Sequence, residues 1–354
     1  MDNESINLLQ ELVNARGPCG EEDEVRIVCQ KQLLLITDDT WIDSAGNLIS
    51  KISGSEKDLE AIRIMVHMDE ISLIVKRINE DGTLRVNPLG GILPFNFGQG
   101  PVDVLGDKEN SSGILSFGCM HTTKESPNIN KMIPEEHKGL GKTPSWEDVV
   151  VITRRTPSEL KDSGVHPGTR VVISQSRRRL HIFQDCIASY FLDNRASIFI
   201  ALKALKEIKS NNKVPKRDIY FVATCSEEVG AHGASYAART LPGEIALAID
   251  TGPVAKEYQT VLSPSPIVVY QDTVAVYDKK ISDRLMYLGE TLGLQPQCTV
   301  YGSYGSDASL AQSRGQSAKS ALLCFPVENT HGYEITHQKS LDQCTTLLTA
   351  YLLD

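Results

Sequence analysis

The run Ile219-Tyr220-Phe221-Val222-Ala223-Thr224-Cys225-Ser226-Glu227-Glu228-Val229-Gly230 decides how the rest of the chain is read. Its opening residues are apolar or β-branched without interruption, the pattern of a strand buried on both faces in a parallel sheet. Two adjacent carboxylates, Glu227 and Glu228, stand where that strand should end, and a glycine turn follows. In open α/β sheets, ligands bind just beyond the carboxyl ends of strands. A buried charge is costly without a partner, so this pair implies a cation close by. Taken alone, the two residues also fit solvated loop glutamates. The other strand-like runs carry the decision.

Upstream, Ile62–Val66 reads as a strand that delivers His67-Met68-Asp69-Glu70. His67 and Asp69 share a face of an extended chain, and a histidine oriented by a carboxylate is a common metal-ligand arrangement. Downstream, Ile245–Ile249 is another buried strand, ending at Asp250-Thr251-Gly252. Ser320–Phe325 is the last core strand and leads past Pro326 to His331-Gly332-Tyr333-Glu334. Between these, Leu192-Asp193-Asn194-Arg195 opens a helix with Ile198, Leu202, Leu205 and Ile208 on one face. The residues at or just past strand ends are therefore His67, Asp193, Glu227, Glu228, Asp250 and His331. Four of their strands read as parallel, so their ends should converge on one rim. Two histidines with three carboxylates suit a pair of divalent ions such as Zn²⁺, Co²⁺ or Mn²⁺. The remaining carboxylate is what a hydrolase needs as general base.

The flanking elements complete an α/β pattern. Ile6, Leu8, Leu9, Leu12 and Val13 mark one helix, and the acids Glu21–Glu24 open a second that runs to about Leu35. Trp41–Ile49 reads as strand, turn and strand; Ile267–Tyr270 and Val274–Val276 as short strands; Gly233–Arg239, Ile281–Gly293 and Leu341–Leu353 as helices. From about Ser72 the character changes. Asp81-Gly82 joins Leu73–Ile78 to Leu84–Val86 as a hairpin. Short apolar runs follow at Val102–Leu105, Gly113–Phe117, Val149–Thr153 and Arg170–Ser174. The polar stretch Thr122–Glu147, with Pro127, Pro134 and Pro144, reads as a long exposed loop. The chain thus divides into 1–71 and 179–354, forming a doubly wound three-layer α/β/α domain, and 72–178, a β-rich insertion.

Composition bounds the function. The 354 residues are 41% hydrophobic and 23% charged, with a formal net charge of −9. That balance is ordinary for a globular protein and makes neither nucleic acid nor an anionic membrane a natural partner. The run Arg177-Arg178-Arg179 reads as a solvated strand end. The eight cysteines show no C-x-x-C spacing. Met1-Asp2-Asn3-Glu4 leads into no signal-like apolar core, and no run approaches the roughly 18 apolar residues of a membrane helix. The expected location is the cytoplasm.

These motifs, in this order, resemble the tetrahedral (TET-type) metalloaminopeptidases, the group that includes glutamyl and deblocking aminopeptidases. The matching pieces are Gly46-Asn47-Leu48-Ile49, His67-Met68-Asp69-Glu70-Ile71, Asp81-Gly82 with Leu84-Arg85, and Leu89-Gly90-Gly91. They continue with Leu192–Arg195, Glu227–Gly230, Asp250–Gly252, Gly305-Ser306-Asp307-Ala308 and His331–Glu334. The resemblance implies that His67 and Asp250 hold one metal, Glu228 and His331 the other, and that Asp193 bridges them, with a cis Asp193–Asn194 peptide bond. It assigns Glu227 as the base and Asp69 to orienting His67. It also implies short peptide substrates and a PDZ-like or barrel-like insertion that builds a homodimer, with dimers assembling into a dodecamer. Two departures stand out: Val151-Ile152-Thr153-Arg154 replaces the relatives' Ile-Asp-Ile-Gly, and Cys19 replaces a common serine. The rival reading is a two-metal carboxypeptidase or N-acyl amino acid deacylase, in which Arg195 or Arg284 grips a substrate carboxylate. A glycosidase is a weaker reading: its two carboxylates must flank a sugar bond, whereas Glu227 and Glu228 are adjacent, and two histidines and Asp250 would have no role.

Overall fold

Apolar runs that offer both faces to a core become central parallel strands. Ile62–His67 and Ile219–Thr224 do so here, with every residue buried. The computed structural model describes residues 1–119, 121 and 145–354. Residues 122–144 of the stretch read as a long loop lie outside that set.

Two units are formed: Met1–Glu70 with Leu180–Thr330 and Glu334–Asp354, and Ile71–Arg179 with His331–Tyr333. The first unit begins with α1 (Asn3–Asn14), α2 (Asp23–Leu33), β1 (Thr40–Ile42), β2 (Leu48–Ile52) and β3 (Ile62–His67). The second unit holds β4 (Ser72–Ile78), β5 (Leu84–Leu89), α3 (Pro94–Phe97), β6 (Gly100–Leu105), β7 (Asn110–Ser116), β8 (Val150–Ile152), α4 (Pro157–Asp162) and β9 (Arg170–Ile173). The chain then returns through β10 (His181–Phe183), β11 (Cys186–Ser189), α5 (Leu192–Ser210), β12 (Ile219–Thr224), α6 (His232–Thr240) and β13 (Ile245–Pro253). It closes with β14 (Ile267–Gln271), α7 (Lys279–Thr291), β15 (Gln297–Val300), α8 (Asp307–Ser313), β16 (Lys319–Glu328), β17 (Glu334–His337) and α9 (Gln338–Leu353).

The first unit is built on an 11-stranded sheet in the order β1-β2-β12-β3-β13-β16-β17-β11-β10, with β14 paired to β16 and β15. Its centre is parallel: β12 pairs β3 with Thr224 opposite His67, β3 pairs β13, and β13 pairs β16 with Asp250 opposite Cys324. The period-2 alternation of strand side chains builds the two faces. Ile62, Ile64, Val66, Ile219 and Phe221 join Leu9, Leu12, Val25, Phe199 and Leu347 in one core. Met65, Tyr220 and Val222 join Ala234, Ala237, Ala308 and Ala311 in the other. The alanines let α6 and α8 lie close to the sheet. Gly233 goes further: a Cβ there would stand 2.2 Å from Asn47 Oδ1 and 2.5 Å from the Cys225 carbonyl oxygen.

The second unit closes β4-β5-β8-β7-β6-β9 into an antiparallel barrel, filled by Leu73, Val75, Leu84, Val86, Val102, Val104, Leu115, Val151 and Val171. The β4–β5 hairpin turns at Gly82, whose φ is +79° and whose missing side chain matters: a Cβ would fall 1.8 Å from the Arg155 carbonyl oxygen. The fold is therefore mixed α/β, a three-layer sheet unit together with a barrel. No helix among the described residues is long and apolar enough to cross a membrane.

Two readings are corrected. Val274–Val276 is not a strand, because Asp272 Oδ1 accepts from both the Val274 and Ala275 amides, at 2.8 Å each, and folds the segment into a turn. Arg178 is not solvated but 0% exposed, its Nε donating to the Ile173 carbonyl at 2.8 Å.

Phe221, 0% exposed on β12, tests the packing. Phe221→Ala is expected to cost about 3–5 kcal/mol in chemical denaturation. Leu35→Ala, at a residue 70% exposed, should stay within about 0.5 kcal/mol.

Candidate active site

The parallel register of β3 and β12 sends two segments off the sheet side by side, Met68–Glu70 and Cys225–Glu228. The Met68 amide donates to the Thr224 carbonyl at 2.7 Å and extends the pairing by one step. Asp69, 0% exposed, then spans the gap with its carboxylate. Oδ1 accepts the Glu227 amide at 2.9 Å, and Oδ2 accepts the Glu228 amide at 3.0 Å and the Cys19 thiol at 3.1 Å. His67 Nδ1 lies 3.1 Å from the main-chain oxygen of Asp69 and 3.6 Å from its carboxylate. A carbonyl oxygen only accepts, so Nδ1 carries a proton. Orientation of the ring thus comes from the Asp69 main chain, while the Asp69 carboxylate holds the two glutamates.

His67 Nε2 faces Asp193 Oδ1 at 3.0 Å. Asp193 enters at the start of α5, after Phe191 at φ +63° and before a cis Asp193–Asn194 peptide bond, the geometry the resemblance implies. Its own amide donates to Glu334 Oε2 at 2.9 Å, Thr251 Oγ1 donates to its Oδ2 at 3.1 Å, and Asn194 Nδ2 reaches the Ile249 carbonyl at 3.0 Å. The end of β13 and the first residue of β17 therefore fix where Asp193 points.

His67, Asp193 and Glu228 each offer a ligand atom, and these atoms lie within 4.8 Å of one another. Asp250 is not part of that triplet. It is 5% exposed within β13, which runs on to Pro253 rather than ending at Ile249, and its Oδ1 accepts the Thr251 amide at 2.7 Å. His331 falls in the second unit, where its Nδ1 lies 2.7 Å from the Gly91 carbonyl oxygen. That contact requires a proton on Nδ1 and turns Nε2 into the ring's other functional atom.

The electrostatics separate the acids. Burial alone would depress the His67 pKa, but the Asp193 and Asp69 carboxylates outweigh it and hold the imidazole well above its ordinary value. Burial raises Asp69, yet His67, the Glu227 amide and the Cys19 thiol together bring it below the usual carboxylate range. Glu227 goes the other way: burial, then the charges of Asp307, Glu228 and Asp250, push it well up against the pull of His67. Asp250 is raised by burial and by Asp193, and Asp307 is pushed up to about 6, chiefly by burial. An imidazole nitrogen among crowded carboxylate oxygens is a donor set that fits a divalent cation, whose charge would relieve this repulsion.

Two arginines bear on the rival reading. Arg195 is 0% exposed. Its guanidinium is committed to the carbonyls of Leu12 and Met68 and to the Glu70 carboxylate, 2.6 Å away. Arg284 on α7 pairs with Asp354. Neither is presented for a substrate carboxylate. Glu334, Thr251 and the Arg195–Glu70 pair were not singled out by sequence. Their only signal was adjacency to the ligand-type residues in Asp-Asn-Arg, Asp-Thr-Gly and His-Gly-Tyr-Glu.

Known proteins resemble this chain in sequence and fold. A family model described as M42 glutamyl aminopeptidase matches residues 46–347. The lysyl aminopeptidase of Pyrococcus furiosus is 24% identical over 357 residues, covering 98% of this chain and 96% of its own. An aminopeptidase structure from the archaeon Desulfurococcus kamchatkensis superimposes with a TM-score of 0.85 at 26% identity, over 99% of this chain and 94% of that one. The TET1 peptidase of Pyrococcus horikoshii, which can assemble into a tetrahedron or a large octahedral shell, gives a TM-score of 0.83 at 24% identity over 99% of both chains. The class so defined is that of the peptidases, hydrolases of the peptide bond. Within it, the chain belongs to the M42 glutamyl aminopeptidase family.

The buried Arg195–Glu70 pair supports the loop that carries Asp69. Arg195→Met removes the guanidinium that meets the buried Glu70 carboxylate, with an expected loss of about 3–5 kcal/mol in chemical denaturation.

Proposed function

We propose that the chain is a dinuclear-metal-dependent aminopeptidase that removes N-terminal residues from short peptides, with Glu227 as general base. The observation that carries this reading is the close set His67, Asp193 and Glu228, beside a Glu227 whose proton affinity is raised. Following the family pattern, His67 and Asp250 serve one ion, Glu228 and His331 the other, and Asp193 both. Zn²⁺ or Co²⁺ fits the mixed imidazole and carboxylate donors best, with Mn²⁺ also suitable. Bound divalent ions supply Lewis acidity, polarising the scissile carbonyl and making water a nucleophile at neutral pH.

The residues divide the remaining work. Glu227 and Glu228 are adjacent in the turn that follows Ser226, and in this reading Glu228 holds metal while Glu227 serves the substrate. A carboxylate with raised proton affinity suits Glu227 to take a proton from the attacking water and return it to the leaving amine. Asp69 keeps both glutamates in place through their main-chain amides. The rival carboxypeptidase or deacylase reading loses support because Arg195 is buried and committed elsewhere.

We further infer that the barrel unit, Ile71–Arg179 with His331–Tyr333, serves dimer formation and that dimers build a dodecamer. The printed tetrahedral assembly of the P. horikoshii relative supports this. Eight free cysteines support a reducing cytoplasm as its home.

Metal analysis should find two equivalents per chain, with chelation abolishing hydrolysis of aminoacyl p-nitroanilides. In the same assay Glu227→Gln should lower kcat by about 10²–10⁴-fold with KM and metal content little changed. Glu228→Gln should instead lose one equivalent and recover partly in excess metal. Full activity without metal, or preferred turnover of N-acetylated amino acids, would refute the reading.

Assembly is a separate expectation. Light scattering should show a particle far larger than the 38.9 kDa chain, and removal of residues 76–176 a smaller one. A monomer at every concentration and metal level would exclude a compartment.

A further inference from the structure

Past the end of β12, four consecutive main-chain amides each donate to a side chain from elsewhere in the first unit. The Cys225 amide meets Asn47 Oδ1 at 3.1 Å, and the Ser226 amide meets Glu22 Oε1 at 3.2 Å. The Glu227 and Glu228 amides meet the two oxygens of Asp69. Amides leaving a strand end must find some acceptor, but water or a turn carbonyl ordinarily serves. Three side chains from three separate segments serve here, and they cover every residue up to the glutamate pair.

Glu22 is the unexpected member. It occupies the N-cap position of α2, yet its carboxylate makes no capping bond to that helix. Instead Oε1 takes the Gly20 amide at 2.8 Å as well as the Ser226 amide. The residue is 3% exposed, so a charged group has been buried without helping its own helix, which needs another return. Arg26, one turn along α2, lies 3.8 Å from Glu22 and donates its Nε to the Gly46 carbonyl at 2.9 Å. It thereby joins α2 to the loop that presents Asn47. Asn47 in turn donates to the Gly233 carbonyl at 2.9 Å, closing the far side of the turn.

Ser226 is where rotation would do most harm. Its φ is +55°, in the left-handed region that non-glycine residues seldom occupy. It is also the residue immediately before Glu227. A change there swings the Glu227 side chain as a whole, and misplacement of a reacting group by about 1 Å can cost about 10²-fold in rate.

We propose that Glu22 is a positioning residue for peptide hydrolysis, its carboxylate holding the Ser226 amide and so fixing the left-handed turn that aims Glu227. The proposal rests on the reading of Glu227 as general base. Glu22 touches neither substrate nor metal in this scheme and acts only through the turn.

The test uses the full-length, metal-loaded protein and three substitutions. Glu22→Ala removes the acceptor. Glu22→Asp keeps the charge but is one methylene too short to serve both amides. Glu22→Gln keeps an acceptor oxygen and loses the charge. Glu22→Ala and Glu22→Asp should lower kcat by about 10–100-fold with KM within about threefold, and should speed hydrogen exchange at the Ser226 amide. Glu22→Gln should recover most of kcat and the amide's protection. In a Glu227→Gln background, Glu22→Ala should cost little more, because the group it aims is gone. The proposal is overturned if Glu22→Ala and Glu22→Asp keep normal kcat, or if their loss is equally large with and without Glu227. It is also overturned if Glu22→Gln is as impaired as Glu22→Ala while the Ser226 amide stays protected. Glu227→Gln alone separates the two ideas: normal turnover there refutes the base and the clamp together. Impaired turnover there, with normal Glu22 variants, refutes only the clamp.

Discussion

The pairing of β12 with β3, Thr224 opposite His67, is the constraint on which the rest of the site depends. Parallel strands end on the same side, so the chemistry-bearing residues that follow each strand leave the sheet together. A register slip of one residue would turn every side chain of β12 to the wrong face, and the two cores fix that face from both sides. Phe221 belongs to the core beneath α5, and Val222 to the one beneath α6. Core packing therefore sets the position of the glutamate pair before any polar contact is made.

Polar contacts then sort carboxylates that would otherwise repel one another alike. Asp69 receives two main-chain amides, a thiol and the field of His67, and stays ionised more readily than a free aspartate. Glu227, Asp250 and Asp307 face other acids and hold protons more tightly. Burial raises all four, and only at Asp69 do the partners of its oxygens outweigh it. The centre thus sets one readily ionised carboxylate, which holds main-chain amides, apart from neighbours whose proton affinity is raised.

The barrel obeys a different rule. Its strands close on themselves and leave no open edge to pair with another chain, and its tight hairpin depends on a glycine that the Arg155 carbonyl would otherwise strike. Its side chains alternate in and out along β7, where buried Ser111, Gly113 and Leu115 separate exposed neighbours. That short-period pattern, against strands such as β3 and β12 whose residues are all buried, is what separates the two architectures.

Periodicity and residue type alone determined the alternation of buried strands and helices, the β-rich character of the segment after Ser72, and the family resemblance. These depend on local repeats of 2 and 3.6 residues and on ligand-type side chains at strand ends, both visible in a linear string. Short or locally governed elements were not visible: β10 and β17 are three and four residues long, α8 depends on a serine cap, and Val274–Val276 yields to the Asp272 side chain. In the site, His67, Asp193 and Glu228 could be named from sequence, but their approach to within 4.8 Å is a product of strand order. Only the tertiary structure decided that Arg195 is sealed beneath the centre and that the Asp69 carboxylate holds the amides of Glu227 and Glu228. The same is true of Glu22, which turns from its own helix to Ser226, 204 residues away. Hydrogen bonds across such distances leave no periodic trace, because the partners meet only after the sheet has formed.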